Sequence, residues 1–113
     1  MAKVVAAIPD LLFRSKVLET AKALSLDVDV ARDADEILQK VRSERPKLVL
    51  LDLQAEALRP LDTLRSLGDL PVVGFLNHER VDLREQALAA GCGEVLTKGQ
   101  FAAGLPQILR RAL

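Results

Sequence analysis

The chain has almost no aromatic residues and a single cysteine: it contains three phenylalanines, no tryptophan or tyrosine, and Cys92. A lone cysteine excludes an internal disulfide and a multi-thiolate metal site, which favours a reducing compartment, the cytoplasm. No apolar run approaches the roughly 18 residues of a membrane helix. Sixteen basic and sixteen acidic side chains cancel, which argues against non-specific binding to nucleic acid or to a membrane surface.

Short apolar runs of strand length alternate with longer stretches of helical spacing along the chain. Such alternation predicts parallel strands joined by right-handed crossovers, with helices on both faces of the sheet. We expect one α/β domain of residues 1–113, with no output domain attached. Helices one and five should lie on one face and helices two, three and four on the other. The predicted strands are Val4 to Ile8, Leu26 to Val30, Leu48 to Leu53, Val72 to Leu76 and Gly93 to Thr97.

Residues typical of helix and strand ends mark the boundaries between these segments. Asp10 can cap the first helix, and Asp33 with a glutamate three residues later resembles a capping box. Pro46 and Pro71 each precede a predicted strand, where proline stops a helix. Gly91 follows the fourth helix, as a left-handed helix end would.

Ligands of open parallel sheets bind beyond the carboxyl ends of the strands. Functional residues are therefore expected at the predicted strand ends. These positions hold Ile8, Pro9 and Asp10; Asp52; Leu76, Asn77 and His78; and Thr97 and Lys98.

Three segments resemble the receiver domains of response regulators, and together they span nearly the whole chain. The run from Arg45 to Leu53 is similar to the segment that carries the phosphoacceptor aspartate. Leu70 to Val73 resembles the fourth receiver strand, and Ala87 to Lys98 the stretch that ends in the family's lysine. The resemblance implies a flavodoxin-like fold, a doubly wound five-stranded parallel sheet of order 2-1-3-4-5 with five helices.

By this resemblance, Asp52 is the candidate phosphoacceptor and also a candidate ligand of Mg²⁺. Lys98 is the cation that contacts the phosphoryl group, because a nearby ammonium helps to neutralise phosphoryl charge. The alternative is a structural ion pair between the two side chains. Asp52→Asn would then cost stability, because it would remove the partner of Lys98.

The chain departs from the receiver pattern at the end of the first strand. Receivers place two adjacent acids there to hold Mg²⁺, whereas this sequence has Ile8 and Pro9. Asp10 follows one residue late and is either a helix cap or a displaced metal ligand, with Gln54 or Glu56 as a further oxygen donor. We expect a poor metal site and no cofactor.

The positions that switch conformation in receivers also differ. The Ser or Thr that ends the fourth strand is replaced by Leu76, followed by Asn77, and the aromatic residue three positions before the lysine is replaced by Val95. Gly99 stands in place of the proline after the lysine. These replacements remove a hydroxyl and a rotating aromatic ring from the expected switch.

A small flavodoxin-like enzyme is a weaker alternative. Cys92, His78 and Asp52 are residue types of nucleophilic catalysis, but Cys92 precedes a strand whereas the other two follow strands. The topology therefore places them at opposite ends of the sheet. The loop after the first strand has no glycine with which to bind a phosphate.

The sequence thus predicts a stand-alone, non-enzymatic module that signals by protein–protein contact through a degenerate phosphorylation site. The resemblance implies a histidine kinase or a downstream effector as partner. The candidate interaction face, on helix four, strand five and helix five, carries Arg80, Arg84, Glu94 and Arg110. The alternative is a single-domain response regulator that accepts phosphate on Asp52 with Mg²⁺.

Overall fold

The computed structural model describes residues 1–113, in which five strands alternate with helices. A short 3-10 helix, Glu56–Leu58, follows the third strand and was not predicted. The strands are β1 (Val4–Ala7), β2 (Val28–Val30), β3 (Leu48–Asp52), β4 (Val72–Leu76) and β5 (Glu94–Thr97). The helices are α1 (Leu11–Ala23), α2 (Ala34–Glu44), α3 (Pro60–Leu67), α4 (Val81–Ala89), α5 (Lys98–Ala103) and α6 (Leu105–Arg110).

All five strands are parallel and lie in the order β2-β1-β3-β4-β5, which confirms the predicted sheet. The register aligns Asp52 with Phe75 and Leu76 with Thr97. The last residues of β1, β3, β4 and β5 therefore lie along one edge of the sheet. We call this the carboxyl edge.

The sheet has a separate apolar cluster on each face, because successive strand residues point to opposite sides. One cluster joins the sheet to α2, α3 and α4 and includes Leu51 and Leu76. The other joins it to α1, α5 and α6 and includes Val4 and Ile8. The predicted assignment of helices to the two faces is thus confirmed.

The three phenylalanines of the chain meet on the α1 side of the sheet. The ring centroids of Phe75 and Phe101 are 4.5 Å apart and those of Phe13 and Phe75 are 5.5 Å apart, both pairs stacked. Aromatic side chains bury large apolar areas and add a packing preference of their own. This stack fixes α1 and α5 against β4.

Most of the predicted boundary residues act as expected. The Asp33 carboxylate accepts a hydrogen bond from the Glu36 amide at 2.8 Å, although the Glu36 side chain accepts from the Arg32 amide and not from that of Asp33. Gly91 has φ +107, the left-handed conformation that glycine adopts most readily. Helix α4 ends just before it, at Ala89.

The prediction of five helices was wrong, because the fifth is divided into α5 and α6 at Gly104. Pro106 is the physical reason: proline has no amide hydrogen and its ring clashes with the carbonyl four residues earlier. Both pieces still pack on the same cluster, through Phe101 and Leu109 among others. None of the helices has the length and apolar character needed to span a membrane.

Candidate functional site at the carboxyl edge

Asp52 is the last residue of β3, and its carboxyl group is half-buried at the carboxyl edge. Burial raises the pKa of this carboxyl above its ordinary value, against the lowering effects of a hydrogen bond from the Gln54 amide (2.9 Å) and of the Lys98 charge. The charge of Asp10 also raises it. Asp10 and Lys98 are therefore each close enough to influence Asp52 electrostatically.

Lys98 makes no direct ion pair with Asp52, so the structural ion pair that the sequence left open as an alternative is not formed. β4 lies between β3, which ends at Asp52, and β5, which precedes Lys98. Lys98 is also the first residue of α5, whose start is fixed by a reciprocal capping box between Thr97 and Gln100. Its ammonium consequently acts on Asp52 through space.

Asp10 serves as the N-cap of α1. Its Oδ1 atom accepts a hydrogen bond from the Phe13 amide at 3.0 Å, and the side chain is exposed. The preceding Ile8 is completely buried. Arg14 turns back towards this segment and donates to the Pro9 carbonyl at 3.3 Å. The end of β1 is thus organised as a helix start.

The residues at the carboxyl edge do not fit a magnesium site. Mg²⁺ requires several oxygen ligands in near-octahedral geometry, and no three acidic, histidine or cysteine side chains gather in a group that could hold a metal ion. The oxygens nearest the site already accept internal hydrogen bonds: Asp10 from Phe13, Asp52 from Gln54, and Gln54 from Asn77. Glu56 is exposed on the 3-10 helix.

The three altered switch positions divide into two buried residues and one exposed residue. Leu76 and Val95 are 2% and 5% exposed and belong to the cluster under α2, α3 and α4. Asn77 is exposed, and its backbone amide donates to the Gln54 Oε1 atom at 2.6 Å. Sequence reasoning considered Gln54 only as a metal ligand and missed this hydrogen bond.

The four residues proposed for an interaction face lie at two separate places. Arg80 and Arg84 lie at the start of α4, near the carboxyl edge, where Arg80 pairs with Asp82 at 3.3 Å. Glu94 begins β5 and Arg110 ends α6, at the opposite edge of the sheet. Glu94 is held by Arg111 through two contacts of 2.7 and 3.5 Å, an ion pair that the sequence did not predict.

The combination of Cys92, His78 and Asp52 is not assembled. The Cys92 thiol is buried against the carbonyls of Val72 and Glu94, and burial raises its pKa. Val72 begins β4 whereas His78 follows the end of that strand. At about 3.3 Å per residue, β4 alone separates the two by about 13 Å.

Comparison with known proteins gives one curated relative and many solved structures. No family model matches the chain. The transcriptional activator protein ExaE of Pseudomonas putida is 35% identical over 92 residues, which are 78% of this chain and 43% of that protein. The chain therefore spans less than half of the activator's length.

Three of the solved structures superpose over the whole chain. NtrX from Brucella abortus has a TM-score of 0.83 at 25% identity, and this chain covers 27% of it. The chemotaxis response regulator CheY4 of Vibrio cholerae has a TM-score of 0.82 at 21% identity, with 99% of that chain covered. A response regulator from Hahella chejuensis gives 0.87 at 14% identity, with 96% covered.

Proposed function

We propose that this chain, a domain with the response-regulator receiver fold, signals by binding other proteins and that phosphoryl transfer to Asp52 is strongly impaired. The proposal treats residues 1–113 as one receiver-like domain. One observation carries it: at the carboxyl edge, no group of three acidic, histidine or cysteine side chains gathers to hold a metal ion, and Asp10 caps helix α1.

Phosphoryl transfer to a carboxylate depends on positioning and on neutralising the phosphoryl charge. Lys98 remains to supply one positive charge near Asp52. No group of ligands gathers to hold a metal ion, which would supply further positive charge. Phosphoryl transfer should consequently be slow, because Lys98 alone neutralises the phosphoryl charge.

The buried switch positions support the same proposal. Leu76 offers no hydroxyl to a phosphoryl group, and its side chain is packed in the cluster under α4 together with Val95. A phosphoryl group on Asp52 would therefore find no hydroxyl at Leu76 through which to move α4 or β5. A signal that does not depend on phosphorylation fits this arrangement.

The expected partners are a histidine kinase or a downstream effector of a two-component system. Support comes from the receiver fold and from the similarity to a transcriptional activator and to NtrX. Direct contact with DNA finds no support in the balanced charge of the chain. The exposed charges of Arg80 and Arg84 on α4 are available for a protein contact.

Phosphorylation of Asp52 is the second candidate function. The electrostatic effect of Lys98 on Asp52 favours it, since the phosphoacceptor and lysine positions keep their receiver residues. Asp10 would then have to serve as a metal ligand through its Oδ2 atom, while Oδ1 accepts from the Phe13 amide.

Incubation with acetyl phosphate and Mg²⁺, followed by intact-protein mass spectrometry, separates the two functions. We expect little phosphorylated protein, and beryllofluoride with Mg²⁺ should cause only small changes in the amide NMR spectrum around Asp52. Asp52→Asn is the matched negative control, and a phosphorylatable receiver domain is the positive control. Stoichiometric, Mg²⁺-dependent labelling that is absent from Asp52→Asn would show that the domain is a working receiver.

A further inference from the structure

Gln54 connects two loops of the carboxyl edge, through its backbone amide and its side-chain oxygen. Its backbone amide donates to Asp52 Oδ1 at 2.9 Å, and its side-chain Oε1 accepts from the Asn77 amide at 2.6 Å. The second hydrogen bond spans 23 positions of sequence. It ties the loop after β3 to the loop after β4.

The loop held by Gln54 leads directly into α4. The Asn77 carbonyl accepts from the Arg80 amide at 3.0 Å, and the Arg80 carbonyl accepts from the Arg84 amide at 3.0 Å. No side chain caps the start of α4, in contrast to α1, α2 and α5, which all have side-chain caps. The first turn of α4 therefore depends on the position of the loop before it.

We propose that Gln54 is a positioning residue that fixes the entrance of α4 relative to β3 without any phosphoryl group. The carboxamide supplies a hydrogen bond between the loops after β3 and β4 that requires no phosphoryl group, and the neighbouring Leu76 provides no hydroxyl for a switchable one. The inference deepens the proposed function and rests on it for one point, that a partner contacts the surface at the start of α4.

Gln54→Met tests the proposal, because methionine keeps the length of the side chain but offers no oxygen to the Asn77 amide. Hydrogen exchange of the Asn77 amide should become roughly five- to tenfold faster, the factor that corresponds to loss of one ordinary hydrogen bond. The amide resonances from Asn77 to Arg84 should shift, and ¹⁵N relaxation should show exchange broadening there.

Two further variants serve as matched comparisons. Gln54→Glu keeps an acceptor oxygen and should restore slow exchange at Asn77. Gln107→Met replaces an exposed glutamine of α6 whose side chain makes no hydrogen bond to the protein, and should leave the Asn77 region unchanged. Should methionine disturb the fold, Gln54→Ala removes the same oxygen and gives the same comparison.

Unchanged exchange and relaxation at Asn77 in both Gln54→Met and Gln54→Ala would overturn the positioning role. The test uses no phosphodonor and no partner. Efficient labelling of Asp52 would therefore overturn the proposed function while leaving the Gln54 result intact, and a silent Gln54 variant would leave the phosphorylation experiment unaffected.

Discussion

The four strand ends that form the carboxyl edge divide into two kinds. The ends of β3 and β5 present the half-buried, charged side chains of Asp52 and Lys98. In contrast, Ile8, directly after β1, and Leu76, the last residue of β4, are both almost fully buried. Ile8 packs in the cluster under α1 and Leu76 in the cluster under α4. At β1 and β4 the chain thus has packing residues where the receiver pattern has polar ones.

Leu76→Thr should have the largest effect, since it restores the hydroxyl of the receiver pattern at the cost of the core. Removing buried carbons and leaving a partly filled cavity destabilises proteins by about 2–5 kcal/mol. We expect a loss of about 3 kcal/mol in the free energy of unfolding, measured by urea denaturation, and no gain in labelling by acetyl phosphate.

Leu88→Thr is the matched control on the exposed side of α4, where the leucine is 45% exposed. It should cost less than about 1 kcal/mol, mostly through the lower helix propensity of threonine. Equal losses of unfolding free energy in the two variants would mean that Leu76 contributes no more to the core than an exposed leucine. The contrast between the strand ends would then be wrong.

Asp10→Ala should have the next largest effect, because it removes the N-cap of α1. Loss of such a cap typically costs about 1 kcal/mol, to be measured as a fall in unfolding free energy. Asp10→Asn should retain most of the stability, because asparagine also caps helices. A metal ligand would behave differently: Mg²⁺ would then stabilise the wild type by mass action but not the alanine variant. We expect no such difference.

The sheet could be predicted because its signals are local. Pro46 and Pro71 precede strands whose apolar runs are too short for helices, and Gly91 ends α4 with the positive φ that glycine allows. The break at Gly104 was also present in the sequence, two residues before Pro106. It was missed because the apolar spacing continues across it.

The candidate site was less predictable, because its contacts join residues that are distant in sequence. The sequence shows that Gln54 follows Asp52, but the direction of its side chain towards Asn77 is set by the packing of two loops. In the same way, the bond between Glu94 and Arg111 depends on where α6 ends relative to β5. Residue types alone predict neither contact.

Lys98→Met tests whether the charged side chains at the ends of β3 and β5 share one site. The Lys98 charge lowers the pKa of Asp52 against the larger effect of burial, so its removal should raise the Asp52 pKa further. A ¹³C NMR titration of the carboxyl group measures the change. Lys16→Met, an exposed lysine of α1, should leave the pKa as it is. An unchanged pKa in Lys98→Met would show that the two charges do not share a site.

Asp52→Asn should have the smallest effect on stability, and with the opposite sign to the sequence-based expectation. Burial is the largest influence on this carboxyl and raises its pKa in the folded protein above the usual 3.8. The folded state therefore binds the proton more tightly than the unfolded chain. The resulting stabilisation is complete below pH 3.8 and is lost as the pH rises through the folded pKa.

At neutral pH, the ionised Asp52 thus opposes folding, and asparagine relieves that cost while keeping an oxygen for the Gln54 amide. We expect Asp52→Asn to be more stable than the wild type at pH 7 by less than about 1 kcal/mol, because partial solvent contact screens the effect. In urea denaturation, the difference should shrink as the pH is lowered. A less stable variant at pH 7 would mean that attraction to Lys98 outweighs burial, and the charged end of β3 would then stabilise the fold as the buried end of β4 does.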